Sequence, residues 1–227
     1  MIVIILALFL PYAVKDKVIA IPEGDTWVDD FNSSILDSVW SWIGEEPSLW
    51  SLTANPGYMH LSTTVEEAGA NFLVQPFPDS NFMIETHVYA QPLYDFQNAG
   101  LLLYLDSDNQ LSLIRAMCTY CGVGDNNGIY FDHILGGSFI SPNYGMAFTP
   151  NDEAYLRIFR VGNTYIGYVS ADGGNWTLVG SHTLSFTPQY IGLRASNKGM
   201  GDPITADFDY FKLTLYAHQQ FLPLVIK

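Results

Sequence analysis

Glu85 and His87 flank Thr86 in a run of alternating apolar and polar residues, so a carboxylate and an imidazole would stand on one face of a strand. That pair is the nearest approach to acid–base machinery in the chain. Glycoside hydrolysis asks for two carboxyl groups ~5–9 Å apart, and sandwich glucanases usually place theirs on one strand as Glu-x-Asp-x-(x)-Glu, a run this sequence lacks. Asp106 and Asp108 fall in a turn sequence, where aspartate commonly stabilises the backbone. A Ser-His-Asp triad can draw its members from distant parts of a chain, but no Gly-x-Ser-x-Gly elbow occurs. His60, His87, His133, His182 and His218 lack metal-ligand spacing such as His-Glu-x-x-His. Gly122-Val123-Gly124 is followed by no βαβ pattern, so it is not a dinucleotide fingerprint. The expectation is that no residue is catalytic.

Calcium is the metal that the oxygen donors suit. Asp29 and Asp30 precede the first strand-like segment and Asp207 and Asp209 lie in the last, so their carboxylates would converge if those two strands were neighbours. Solvated acidic residues at strand ends are the plainer reading. Asp125 with Asn126 and Asn127 is a second loop candidate. Cys118 and Cys121 supply only half a tetrahedral zinc site. Because Cys-Thr-Tyr-Cys follows a strand and leads into a glycine-rich loop, a local disulfide is expected, in keeping with an oxidising compartment.

The elements that would carry these side chains are strands. Asn81–Ala90 puts Phe82, Ile84, Thr86 and Val88 on one face and Met83, Glu85, His87 and Tyr89 on the other. Ala99–Leu105 and Gln110–Met117 flank a turn, and Tyr155–Val161 and Thr164–Ser170 flank Gly162-Asn163, a pair suited to a primed hairpin. Leu49–Thr53, Tyr58–Thr63, Trp176–Val179, Tyr190–Ser196 and Ile204–Tyr216 complete the set. Many short strands with frequent turns and no sustained helical period mean a sandwich or barrel.

A length of 227 residues suits one such domain, and 48% hydrophobic with 14% charged residues excludes a disordered chain. The net charge of −14 and the absence of a basic stripe exclude nucleic acid as a partner. Residues 2–10 are apolar but too short to span a bilayer, which takes ~20 residues. They fit the core of a signal peptide over residues 1–20, although no Lys or Arg precedes them. Export to the extracellular medium is the expectation, with an N-terminal strand or a mis-assigned start as alternatives. The sandwich is expected over 27–217, followed by a short apolar tail at 218–227.

Several segments together resemble one family. Asp29-Asp30-Phe31 with Leu36-Asp37-Ser38-Val39-Trp40, then Gln97-Asn98-Ala99-Gly100-Leu101, Asp172-Gly173-Gly174-Asn175-Trp176 and Asp207-Phe208-Asp209-Tyr210-Phe211, are similar in order and spacing to concanavalin A-like, laminin-G-like sandwich domains. Such domains occur at the C-terminus of β-xylosidase-type glycosidases and in regulation-of-enolase-like proteins. The resemblance implies an all-β, antiparallel two-sheet jelly roll with a curved sheet able to form a groove. It also implies an accessory role, because a separate propeller carries catalysis in those glycosidases. Sugar binding needs flat apolar surfaces and a few polar groups, and the expected groove lining is Trp42, Glu85, His87, Gln97, Tyr104 and Arg115. Arg115 pairing with Glu85 as a polar cluster is the alternative. The leading function is carbohydrate binding or adhesion to a cell-surface glycan, against a glycoside hydrolase-like enzyme or a purely structural surface domain.

Overall fold

The computed structural model describes residues 24–64, 71–124, 126–198 and 202–216. The signal-peptide and tail segments, and Asp125, lie outside them. The strands in chain order are β1 (Asp25–Asp29), β2 (Ser41–Ile43), β3 (Trp50–Ser51), β4 (Met59–Ser62), β5 (Phe72–Pro76), β6 (Asn81–Ala90), β7 (Asn98–Asp106), β8 (Asn109–Met117) and β9 (Asn127–Leu135). They continue as β10 (Ser138–Phe139), β11 (Tyr144–Ala147), β12 (Glu153–Val161), β13 (Thr164–Ser170), β14 (Thr177–Thr183), β15 (Tyr190–Ser196) and β16 (Thr205–Tyr216). One short 3-10 turn, Pro47–Leu49, precedes β3. No helix among the described residues is long and apolar enough to cross a membrane.

The strands form two eight-stranded sheets. The first runs β14-β13-β12-β6-β16-β4-β3 with β1 also on β16, and the second β10-β9-β8-β7-β15-β5-β2 with β11 also on β9. All pairings are antiparallel. The expected all-β jelly-roll sandwich is therefore present. Alternation dictates the layering: Phe82, Ile84 and Val88 of β6 face Leu101 and Leu103 of β7 and Leu111 and Leu113 of β8 in one core. Each fully buried aliphatic chain there stabilises the fold by ~1.5–3 kcal/mol before entropy is counted. The predicted faces of β6 are those observed, and both predicted hairpins form.

One irregularity decides what reaches the surface. The register of β16 against β6 slips between Phe208 and Tyr210, leaving Asp209 as an extra residue. The slip lets Phe208 and Phe211, three residues apart, both enter the core. Tyr210 and Asp209 are thereby available beside Glu85 and His87 on the outer face of the first sheet.

Candidate functional site

The six residues expected to line one groove are distributed over five places. Glu85 and His87 stand on the outer face of the first sheet. Arg157, directly opposite Glu85, donates to Glu85 Oε2 through Nε at 2.7 Å and through Nη2, and Tyr210 Oη donates to Oε1 at 2.7 Å. Arg157 also lies 3.6 Å from the centroid of Trp176. His87 stacks on Tyr155 with centroids 3.7 Å apart, and its ring nitrogens lie 3.1 Å from Glu153 Oε2 and 3.6 Å from Asp209 Oδ2. Both residues are thus held in a closed polar and aromatic layer.

Arg115 does not reach that face. It lies opposite Ala99, a core residue, so it points between the sheets and is completely buried. Its guanidinium donates to Asn127 Oδ1 at 2.7 Å and to the carbonyls of Pro150 and Glu153. The partner of Glu85 is therefore Arg157, because strand register places those two side by side. Gln97 is buried in a loop, accepting from the Leu93 and Tyr94 amides and donating to the Asp202 and Pro203 carbonyls. Trp42 packs on Trp50, centroids 5.0 Å apart, where β2 and β3 form facing edges of the two sheets. Tyr104 sits on the outer face of the second sheet beside Phe72.

That outer face holds a concavity of about 350 Å³, within the ~300–1,000 Å³ range of small-molecule sites. Ile114 and Ala116 of β8 and Tyr130 and Asp132 of β9 form its floor, with Asn98 at the start of β7 and Gly145 of β11 beside them. Its rim carries three exposed aromatic rings: Phe96 (38%), Phe139 (51%) and Tyr120 (87%). Lys198 bridges two of them, its Nζ 4.7 Å from the Phe139 centroid and 5.8 Å from that of Phe96. The expected Cys118–Cys121 disulfide forms and holds the loop that presents Tyr120. Asp95 anchors the same loop by accepting from Thr119 N at 2.6 Å and Thr119 Oγ1 at 2.7 Å.

The floor is electrostatically unusual. Burial pushes the Asp132 carboxyl up to about 6, against the opposing pull of the Arg194 and Lys198 charges. Burial also lowers Arg194 to about 10 and depresses Lys198. Arg194 Nη1 donates to Gln110 Oε1 at 2.8 Å, and its guanidinium covers Phe72 at 4.9 Å. A mostly apolar cavity with a few convergent polar groups and a displaced carboxyl pKa is the usual form of a ligand site.

Asp132 and Lys198 were not among the sequence candidates. The carboxylate inside the apolar run Ile129–Leu135 was the available signal.

The aspartates considered for calcium are engaged separately. Asp29 accepts from Phe31 N and Trp40 Nε1, and Asp30 accepts from Asn32 N. Asp207 lies 2.7 Å from His60 Nδ1 and accepts from Asn55 Nδ2, while Asp209 faces His87. The terminal strands β1 and β16 do pair, which meets the condition for convergence. Among the described residues, however, no three His, Cys, Asp or Glu side chains are grouped to hold a metal ion. Ser62 Oγ lies 3.2 Å from His60 Nε2, which completes a Ser62–His60–Asp207 chain across β4 and β16 that sequence spacing did not reveal.

Comparison with known proteins gives this fold a context. No curated protein matches the sequence. The GH43 protein BlXynB from Bacillus licheniformis is similar in structure, with a TM-score of 0.73 at 22% identity over 83% of this chain and 39% of that one. A xylan β-1,4-xylosidase from Bacillus halodurans gives 0.69 at 21% identity, over 90% and 41% of the two chains. A functionally unknown protein from Saccharomyces cerevisiae gives 0.59 at 17% identity, over 79% of this chain and 97% of that one. The likeness at these identities is one of fold, and this chain spans about two fifths of the length of the two bacterial enzymes. Residues 28–214 match the family model described as the β-xylosidase C-terminal concanavalin A-like domain, and the chain belongs to that family.

Proposed function

We propose that this domain is a non-catalytic carbohydrate-binding module of an exported protein, with its ligand site on the outer face of the second sheet. The observation that carries this reading is the concavity rimmed by Phe96, Tyr120 and Phe139 and floored by Asp132. Aromatic faces match the C–H surfaces of sugar rings, and a few polar groups fix orientation. The family, and the xylan named for one structural relative, point to neutral xylose-based polysaccharide as the ligand class. The disulfide fits an oxidising compartment. Glu85, the sequence candidate for acid–base work, is engaged by Arg157 and Tyr210, which supports a structural duty for it.

Affinity electrophoresis in gels containing soluble xylan, beside a reducing-end assay on the same substrate, tests the reading. Retardation is expected, abolished in Tyr120→Ala/Phe139→Ala, with no new reducing ends. Unretarded migration through every neutral plant polysaccharide, or release of reducing ends, would contradict it.

A further inference from the structure

Two polar side chains lining the concavity, Asn98 and Asp132, carry acceptor oxygens without a hydrogen bond among the described residues. Asn98 is 4% exposed, and its Nδ2 donates to the Phe96 carbonyl at 2.7 Å. That bond fixes the amide orientation, so Oδ1 is the free acceptor, and it has no partner among the described residues. Asp132 is likewise reached by no hydrogen bond among the described residues. A buried acceptor without a partner costs free energy that a ligand donor can recover.

Strand register sets the distance between the two. Asn98 pairs with Ala116 and Ala116 with Gly128, so Asp132 lies two strands across and four residues along from Asn98. At ordinary strand spacings their backbones are ~16 Å apart. Ile114, Ala116 and Tyr130 supply an apolar floor between them. That separation exceeds the span of a single pyranose ring.

We propose that the groove takes a neutral, hydroxyl-donating oligosaccharide of at least two sugar units, read at one end by Asn98 Oδ1 and at the other by the Asp132 carboxylate. This rests on the carbohydrate reading above and specifies its ligand. Hydroxyl groups donate to both acceptors, whereas a uronic acid sugar would bring a second carboxylate towards Asp132. Ionised Asp132 is the stronger acceptor, so affinity rises with pH as that group loses its proton. The charged and titratable groups sharing its surroundings are Arg194 of β15, Lys198 beyond it, Tyr130 on its own strand, and Asp95, Tyr120 and Tyr144 along the pocket wall; Ser112 opposite it on β8 does not titrate.

Calorimetric titration with linear β-1,4-xylo-oligosaccharides of one to six units, and with the same chains carrying glucuronic acid, tests this at pH 5 and pH 7.5. Wild-type protein should bind chains of two or more units more tightly than xylose, more tightly than the acidic chains, and better at pH 7.5. Asp132→Asn should fold with a normal circular dichroism spectrum, bind ~10- to 100-fold more weakly at pH 7.5, and show a flat pH profile. No binding of any oligosaccharide would overturn the carbohydrate reading itself. Binding that Asp132→Asn leaves intact, or that favours the acidic chains, would overturn this inference alone.

Discussion

Replacing Glu85 with leucine tests whether the layer on the first sheet is structural. The variant strands Arg157, which loses two charge-assisted bonds, and the Tyr210 hydroxyl, which loses its acceptor. Breaking one partner of a buried ion pair costs ~3–5 kcal/mol. The Arg157 side chain is 17% exposed and rests on Trp176, so water and the ring relieve part of that charge. The low end, about 3 kcal/mol, is expected, which for a domain of this size lowers Tm by ~6–12 °C. Glu85→Leu combined with Arg157→Met removes the orphaned charge and should return stability to within ~1 kcal/mol of wild type. Urea unfolding followed by tryptophan fluorescence measures both, with unchanged m-values showing that the transition is the same. A single variant costing under ~1 kcal/mol, or a double variant worse than the single, would refute the reasoning.

Two other perturbations probe the fold. His133 and His182 face each other between the sheets, and burial holds both below the usual imidazole pKa, with the neighbouring imidazole adding to the effect at His133. The unfolded chain therefore binds protons that the native state refuses, so their contribution to stability falls as pH drops through ~6.5 and levels off below the native values. Asp132, raised to about 6, works in the opposite sense between that pH and ~4. Stability against pH should accordingly be flatter in His182→Gln than in wild type, and fall more steeply with acid in Asp132→Asn; unchanged slopes would contradict the assignments. At Gly192 an added Cβ would lie 2.0 Å from the Leu73 carbonyl oxygen, which is backbone of the adjacent strand. Gly192→Ala should cost ~1–3 kcal/mol by thermal melting, and a neutral result would show that the strands can separate.

The architecture was legible because alternation is local. Phe82, Ile84 and Val88 announce a strand with one buried face, and Gly162-Asn163 announces a hairpin. Strand β9 was harder to read, since its residues are largely buried on both faces and alternation therefore disappears. The shared groove failed for a reason of parity and topology. Arg115 sits opposite Ala99 rather than Gly100, and that one-residue difference turns it inwards. Glu85 and Tyr104 belong to different sheets, which no spacing within either strand can announce. The pocket gathers Phe96, Tyr120, Asp132, Phe139 and Lys198 from segments joined only by strand order. The disulfide was readable because its two partners lie three residues apart.

Backbone and methyl NMR spectra recorded during titration with a neutral xylo-oligosaccharide would locate the ligand directly. Shifts should concentrate at Asn98, Ile114, Ala116, Tyr130 and Asp132, leaving Glu85 and His87 on the opposite sheet unmoved. Shifts centred on Glu85, His87 and Tyr155, with the second sheet silent, would contradict the account.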